Sequence, residues 1–181
     1  MKKLSMDELG RLDKQAFGQV EKNQIVLVLD NIRSMHNVGS AFRTADAFAL
    51  QKILLCGITA QPPHREIEKT ALGATQTVNW EYRQDVKNAL TELKEEGYTI
   101  LAAEQTDESV YLHDFDFSAS EKYALVFGNE VEGVSDEALQ VADFAVEIPQ
   151  FGTKHSLNVS VATGIVIWEI ISRAVLTNNP T

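Results

Sequence analysis

Residues 24–48 read QIVLVLDNIRSMHNVGSAFRTADAF. Residues 25–29 are uniformly apolar, which suits a parallel strand buried on both faces rather than one with a wet side. A polar turn over residues 30–37 follows, and residues 39–48 carry the pattern of a helix. Strand, polar turn and helix make the first half of a βαβ unit, and the rest of the chain repeats the alternation. Strands are expected at residues 53–56, 78–82 and 99–103, with helices at 66–72 and 85–96, the latter stopped by Gly97. Residues 123–127 (YALVF) and 144–148 (FAVEI) are strands flanking a short helix at 136–141. The fold class is therefore α/β, a single open, mostly parallel sheet flanked by helices.

Ser5 and Glu8 form a capping box that opens a helix running to about residue 17. Residues 1–23 are then an N-terminal helical extension, 24–176 the main domain and 177–181 a disordered tail. Residues 157–176 form a long helix, apolar on nearly every face, whose only charges are Glu169 and Arg173, a favourable i,i+4 pair. Such a helix is expected between the sheet and a second layer. A second subunit is one candidate for that layer; burial within the helix's own domain is the other.

The chain has 181 residues, an apolar fraction of 44% and a net charge of −10. That length can bury a full core. The nearest approach to a membrane span, residues 159–171, is about a dozen residues and is interrupted by Ser160, Thr163 and Glu169. Cys56 is the only cysteine, so no intrachain disulfide forms and a reducing, cytoplasmic setting fits. Residues 1–100 hold 13 basic and 13 acidic side chains, whereas 101–181 hold 3 basic and 13 acidic. Six acids fall between Glu104 and Glu121 without a base among them, the pattern of a solvated acidic surface.

Polar, Gly-containing islands punctuate the ends of predicted strands, where open α/β sheets bind ligands. They are residues 31–40 with Arg43-Thr44 behind them, residues 127–135 (FGNEVEGVS) and residues 148–158 (IPQFGTKHSLN). Singly, each has a plain structural reading. Asn37 and Gly39 could cap a helix, Gly128 could serve a turn, and Ser156 and Asn158 could begin the last helix. Three in succession, each just past an apolar strand, point instead to one shared site. No phosphate-binding G-x-x-x-x-G-K-[ST] or dinucleotide G-x-G-x-x-G is present. His36, His64, His113 and His155 lack metal-ligand spacing, and a metal site is not expected. The esterase elbow G-x-S-x-G is also missing.

At these islands the sequence resembles the SpoU/TrmH family of RNA ribose methyltransferases, within the SPOUT superfamily. LDNIRSMHNVGSAFRTADAF is similar to the family's first motif, LVFGNEVEGVS to its second and IPQFGTKHSLNVSVATGI to its third. The resemblance covers roughly residues 24–175. Ala49 departs from it, since the family often has glycine there, and the departure bears on helix–strand packing. Residues 1–23 do not resemble the L30e-like RNA-binding domain that some members carry.

The resemblance implies a deep trefoil knot in the last third of the chain and a homodimer packed partly through the last helix. It implies S-adenosylmethionine as cofactor, held near Gly128, Ile148 and Leu157, with RNA (tRNA or rRNA) as partner. It places Asn37, Arg43, Glu130, Ser156 and Asn158 in the catalytic site. Arg43 would bind a phosphate and stabilise the developing alkoxide of a ribose 2′-hydroxyl, since guanidinium does not act as a base in proteins. Asn37 would orient Arg43 or the ribose. Glu130 would hold a donor, either Arg43 or a loop amide. Ser156 and Asn158 would fix the knot loop, and Gly39, Gly128 and Gly152 would let backbone approach ligand. The competing reading is a non-catalytic RNA-binding or ribosome-assembly factor on the same fold.

Overall fold

Ile25, Leu27 and Leu29 face one side of the sheet and Val26 and Val28 the other, and all five are buried. They belong to strand β1 (Asn23–Asp30), which sits inside a seven-stranded sheet. In this computed structural model, which describes residues 1–5, 8–10 and 12–177, the other strands are β2 (Leu50–Cys56), β3 (Trp80–Arg83), β4 (Tyr98–Ala103), β5 (Val110–Tyr111), β6 (Lys122–Phe127) and β7 (Phe144–Glu147). The order is β3-β2-β1-β6-β4-β7-β5, and every pairing is parallel. The uniform apolarity of β1 follows from burial on both faces. β5 has no counterpart in the apolar pattern, because it is a two-residue edge strand with both side chains exposed.

Helices α2 (Met35–Ala47), α3 (Arg65–Ala71) and α6 (Val159–Ile170) pack on the face of Leu27 and Leu29. Helices α4 (Val86–Glu95) and α5 (Asp136–Leu139) pack on the face of Val26 and Val28. α2 begins earlier than residue 39, because Ser34 is its cap and accepts the Asn37 N–H at 3.3 Å. Gly39 is thereby placed inside the helix, against α3. A Cβ there would strike Thr70 Oγ1 and approach the Ile67 carbonyl oxygen at 2.5 Å, so this glycine serves helix–helix contact and not ligand approach.

At the other end of α2, Ala49 has a left-handed φ of 46°. That conformation costs an L-residue roughly 1 kcal/mol or more and costs glycine nothing. Ala49→Gly is therefore expected to raise the stability of the protein by about 0.5–1 kcal/mol in urea unfolding, despite the extra freedom it gives the unfolded chain.

The N-terminal helix is shorter than its capping box suggests. Ser5 N donates to Glu8 Oε2 at 2.7 Å and Glu8 N to Ser5 Oγ at 3.3 Å, but Gly10 turns left-handed at φ 56°. Helix α1 is Lys14–Gln19, capped by Asp13. Of the expected tail at 177–181, residues 178–181 lie outside the described residues.

α6 runs on into a π-helical segment, Ile171–Leu176. The whole stretch Val159–Leu176 has 18 residues and a mean hydropathy of 1.7, long and apolar enough to cross a membrane and longer than the dozen residues judged from sequence. Thr163, Val166, Ile167 and Ile170 pack one face into the core. The opposite face leaves Val161, Ile165 and Trp168 exposed at 50, 38 and 51%. Glu169 and Arg173 pair at 3.5 Å.

Candidate functional site

β1, β6, β4 and β7 are consecutive neighbours, and the polar islands leave their C-terminal ends. A cleft of about 500 Å³ opens there. It is lined from the C-terminal ends of β4, β6 and β7, the usual side for ligands in an open parallel sheet. Gly128, Ile148 and Leu157, assigned to the cofactor from the resemblance, all line it, and so do Glu130, Ser156 and Asn158.

The three islands are joined by side chains. The Glu130 carboxylate accepts hydrogen bonds from Arg33 N and Ser34 N, both at 3.0 Å, and from Asn37 Nδ2 at 2.8 Å. Asn158 Nδ2 donates to Asn37 Oδ1 at 3.3 Å. Asn37 therefore bridges Glu130 and Asn158, although these residues lie far apart in sequence. Asn158 also caps α6, accepting Ser160 N at 2.9 Å. Ser156 lines the cleft with no hydrogen-bond partner among the described residues.

Burial pushes the Glu130 carboxyl up, but the Arg33 amide, the Asn37 amide group, its own N–H and the Ser34 amide together outweigh it. The group is held below the ordinary carboxylate range. Glu130 is thus an ionised acceptor whose lone pairs are occupied, suited to holding the 33–34 loop rather than to moving a proton. Its contribution is complete above the ordinary carboxylate range and is lost as pH falls through the lowered folded value. Glu130→Gln should cost about 1 kcal/mol at neutral pH, discounted for its exposure, and flatten that acid limb. Hydrogen exchange at the Arg33 and Ser34 amides, faster by about fivefold in the variant, checks it.

Arg43 is placed elsewhere. It lies on the exposed side of α2, in a separate concavity lined by Ser40, Thr44, Lys69, Thr70 and Gly164, and its side chain has no partner among the described residues. Neither Asn37 nor Glu130 holds it: of the two donors considered for Glu130, the loop amides are the ones used.

Four residues hold the site together without a role assigned from the motifs, three of them inside the quoted stretches and Glu104 outside. Asp30, fully buried, accepts Asn31 Nδ2 at 2.8 Å and Ser135 N at 2.9 Å, tying the first island to the second. Asn129 Nδ2 donates to the Asn31 carbonyl at 2.8 Å, and Asn31 itself is left-handed at φ 57°. Glu104, just past β4, accepts Val134 N at 2.9 Å and closes the 128–134 loop on the cleft wall. A buried acid at a strand end was the available signal for Asp30; Glu104 was hidden in the acidic run.

Gly128 lets that loop fold on itself. A Cβ on it would strike the backbone of Gly133 and Val134. Around Gly152 there is open space, so no packing demand explains it. Cys56 is buried at the end of β2, and burial followed by Asp30 pushes its thiol up to about 12. A buried thiol held in its protonated form is the setting of a structural cysteine. No cluster of three or more metal-ligating side chains occurs among the described residues.

Comparison with known proteins places the chain among RNA-methylase relatives. The model of the SpoU rRNA methylase family matches residues 24–168. The 23S rRNA (guanosine-2′-O-)-methyltransferase RlmB of Neisseria meningitidis is 34% identical over 154 residues, 85% of this chain and 60% of that protein. The tRNA (guanosine(18)-2′-O)-methyltransferase of Aquifex aeolicus is 35% identical over 158 residues, 83% of this chain and 71% of that one. The chain thus spans between three fifths and three quarters of the length of these two relatives. Among solved structures, the A. aeolicus TrmH/SpoU tRNA modifying enzyme superposes with a TM-score of 0.77 at 30% identity, covering 87% of this chain and 78% of its own. The AdoMet-bound rRNA methyltransferase of Sinorhizobium meliloti gives 0.78 at 26% identity, covering 86% and 59%. With the family model spanning most of the chain and the three polar islands meeting at one cleft, this protein belongs to the SpoU rRNA methylase family.

Proposed function

We propose that this chain transfers a methyl group from S-adenosylmethionine to the ribose 2′-hydroxyl of a nucleotide in tRNA or rRNA. The observation that carries the reading is the Glu130–Asn37–Asn158 bridge at the rim of a cleft lined by Gly128, Ile148 and Leu157. The residues present fit the cofactor. The cleft has a volume typical of small-molecule sites, and its acidic lining (Glu104, Glu132, Glu147) suits a ligand carrying sulfonium and ammonium charges. The loops at Gly128, Ile148 and Leu157 would hold it, and when bound it supplies a methyl group already activated for transfer.

This chain's own residues then have to position the hydroxyl and receive its charge. Well-aligned positioning alone supplies roughly 7–11 kcal/mol. Asn37 and Asn158, locked by Glu130, set the rim against which the nucleotide rests. Arg43 stabilises the developing alkoxide and binds a neighbouring phosphate. Its place outside its own chain's cleft supports a reading in which Arg43 acts in the cleft of a second copy. The exposed stripe of Val161, Ile165 and Trp168 beside it supports a homodimer packed through α6. The insertion of β6 between β1 and β4, with α6 returning to α2, supports a threaded trefoil knot. A buried, reduced Cys56 is compatible with the cytoplasm.

Incubation with methyl-labelled S-adenosylmethionine and RNA from cells lacking this protein tests the reading. Label should enter tRNA or rRNA. Incorporation into neither would leave the RNA-binding or assembly factor as the better account.

A further inference from the structure

An acidic protein of charge −10 has to present a basic surface to bind RNA, and the ion pairs show which of its cations are left for such a surface. Lys2, Lys52, Arg83, Lys94 and Arg173 each have a carboxylate partner. Lys14, Lys22, Lys87 and Lys122 donate to amide or carbonyl oxygens. Among the described residues, the lysines and arginines without any such partner are Lys3, Arg33, Arg43, Lys69 and Lys154. Arg65 is close to joining them, since its side chain is 94% exposed and only reaches Glu66 at 4.0 Å.

Lys3 and Lys154 lie apart, but the other four of these six cations fall together. Arg33, Arg43, Arg65 and Lys69 all come from the segment that builds α2 and α3. Arg65 and Lys69 are i and i+4 on one side of α3. Lys69 shares a concavity with Arg43 and the hydroxyls of Ser40, Thr44 and Thr70. Arg33 lies on the loop whose amides grip Glu130 at the cleft rim. α3 also carries two acids, which keep their charge: Glu66 is held by His36 at 3.3 Å and Glu68 by the Thr75 hydroxyl at 2.9 Å, and neither makes a close pair with Lys69. Asp107, Glu108, Asp114 and Asp116 of the acidic run flank β5 in sequence, at the far edge of the sheet.

We propose that RNA docks by its phosphate backbone on the α2–α3 face, with Arg65 and Lys69 as contacts outside the reactive centre and Arg33 leading the strand to the cleft. This rests on the RNA methyltransferase reading and adds the surface that delivers the substrate. Unpaired cations beside hydroxyls are the usual donors to phosphate, and the repulsive edge opposite fixes which way the RNA lies.

The test is the double variant Arg65→Ala/Lys69→Ala against Lys87→Ala/Lys94→Ala, a matched loss of charge on the other face of the sheet. Binding to bulk tRNA and to total rRNA is measured separately across a salt series. For the α3 variant, affinity should fall on the order of tenfold, with the salt slope shallower by about 2 counter-ions. KM for RNA should rise with kcat retained, and S-adenosylmethionine affinity and the unfolding midpoint should hold. An α3 variant that binds as the wild type does, or a control that loses as much, overturns the surface alone. A wild-type protein that binds neither RNA overturns the functional reading along with it.

Discussion

Arg43→Ala should lower methyl transfer about 10²–10³-fold while leaving S-adenosylmethionine affinity within about twofold of wild type. The first half follows from chemistry. A ribose hydroxyl that is losing its proton builds negative charge on oxygen, and a fixed cation next to it is worth far more at that moment than in the ground state. Guanidinium keeps its proton, so its role is to stabilise charge and hold phosphate, and the proton goes elsewhere. The second half follows from position. Arg43 does not line the cleft of its own chain, so truncating it removes nothing from the wall that would hold the cofactor. Single-turnover transfer assays and calorimetry check the two halves separately. Equal turnover in the variant would remove Arg43 from the mechanism.

Leu157→Arg should do the reverse, weakening S-adenosylmethionine binding on the order of 10²-fold, or roughly 2.7 kcal/mol. Leu157 lines the cleft beside Asn158 and is 39% exposed, so the longer side chain has room to fold but projects a cation into a site meant for a cationic ligand. The two variants together separate a shared site from a self-contained one. Mixed and allowed to re-assort, half the dimers pair one chain of each kind, and every such dimer has one intact cleft facing one intact Arg43. About a quarter of wild-type activity should return. If Arg43 serves its own chain, the mixture stays inactive, because each site carries one defect or the other.

Much of this was legible from residue patterns, and the exceptions have physical causes. Residues 25–29 announce a doubly buried strand because both of their faces meet helices, and β4 and β6 are apolar for the same reason. β5 is invisible because two exposed edge residues need no pattern. Strand order is also unreadable locally. Nothing in residues 122–127 says that they slot between β1 and β4, since burial on both faces is common to every central strand. In the site, Asn37, Glu130 and Asn158 converge as the motifs imply. Gly39 looked like a ligand-facing glycine, but its lost side chain accommodates Thr70 of the neighbouring helix. Glu104 resembled one more solvated acid, because a hydrogen bond to a loop 30 residues ahead leaves no local trace. Arg43 carries the family spacing, yet spacing within one chain says nothing about which copy of the cleft it serves.

The most direct test of the central claim is where the methyl group ends up. RNA methylated by this protein with labelled S-adenosylmethionine should yield its label in alkali-resistant dinucleotides, because a methylated 2′-oxygen can no longer attack the adjacent phosphate. Label released by alkali as mononucleotides, with the methyl on a base, would contradict a cleft and an arginine arranged around a ribose hydroxyl.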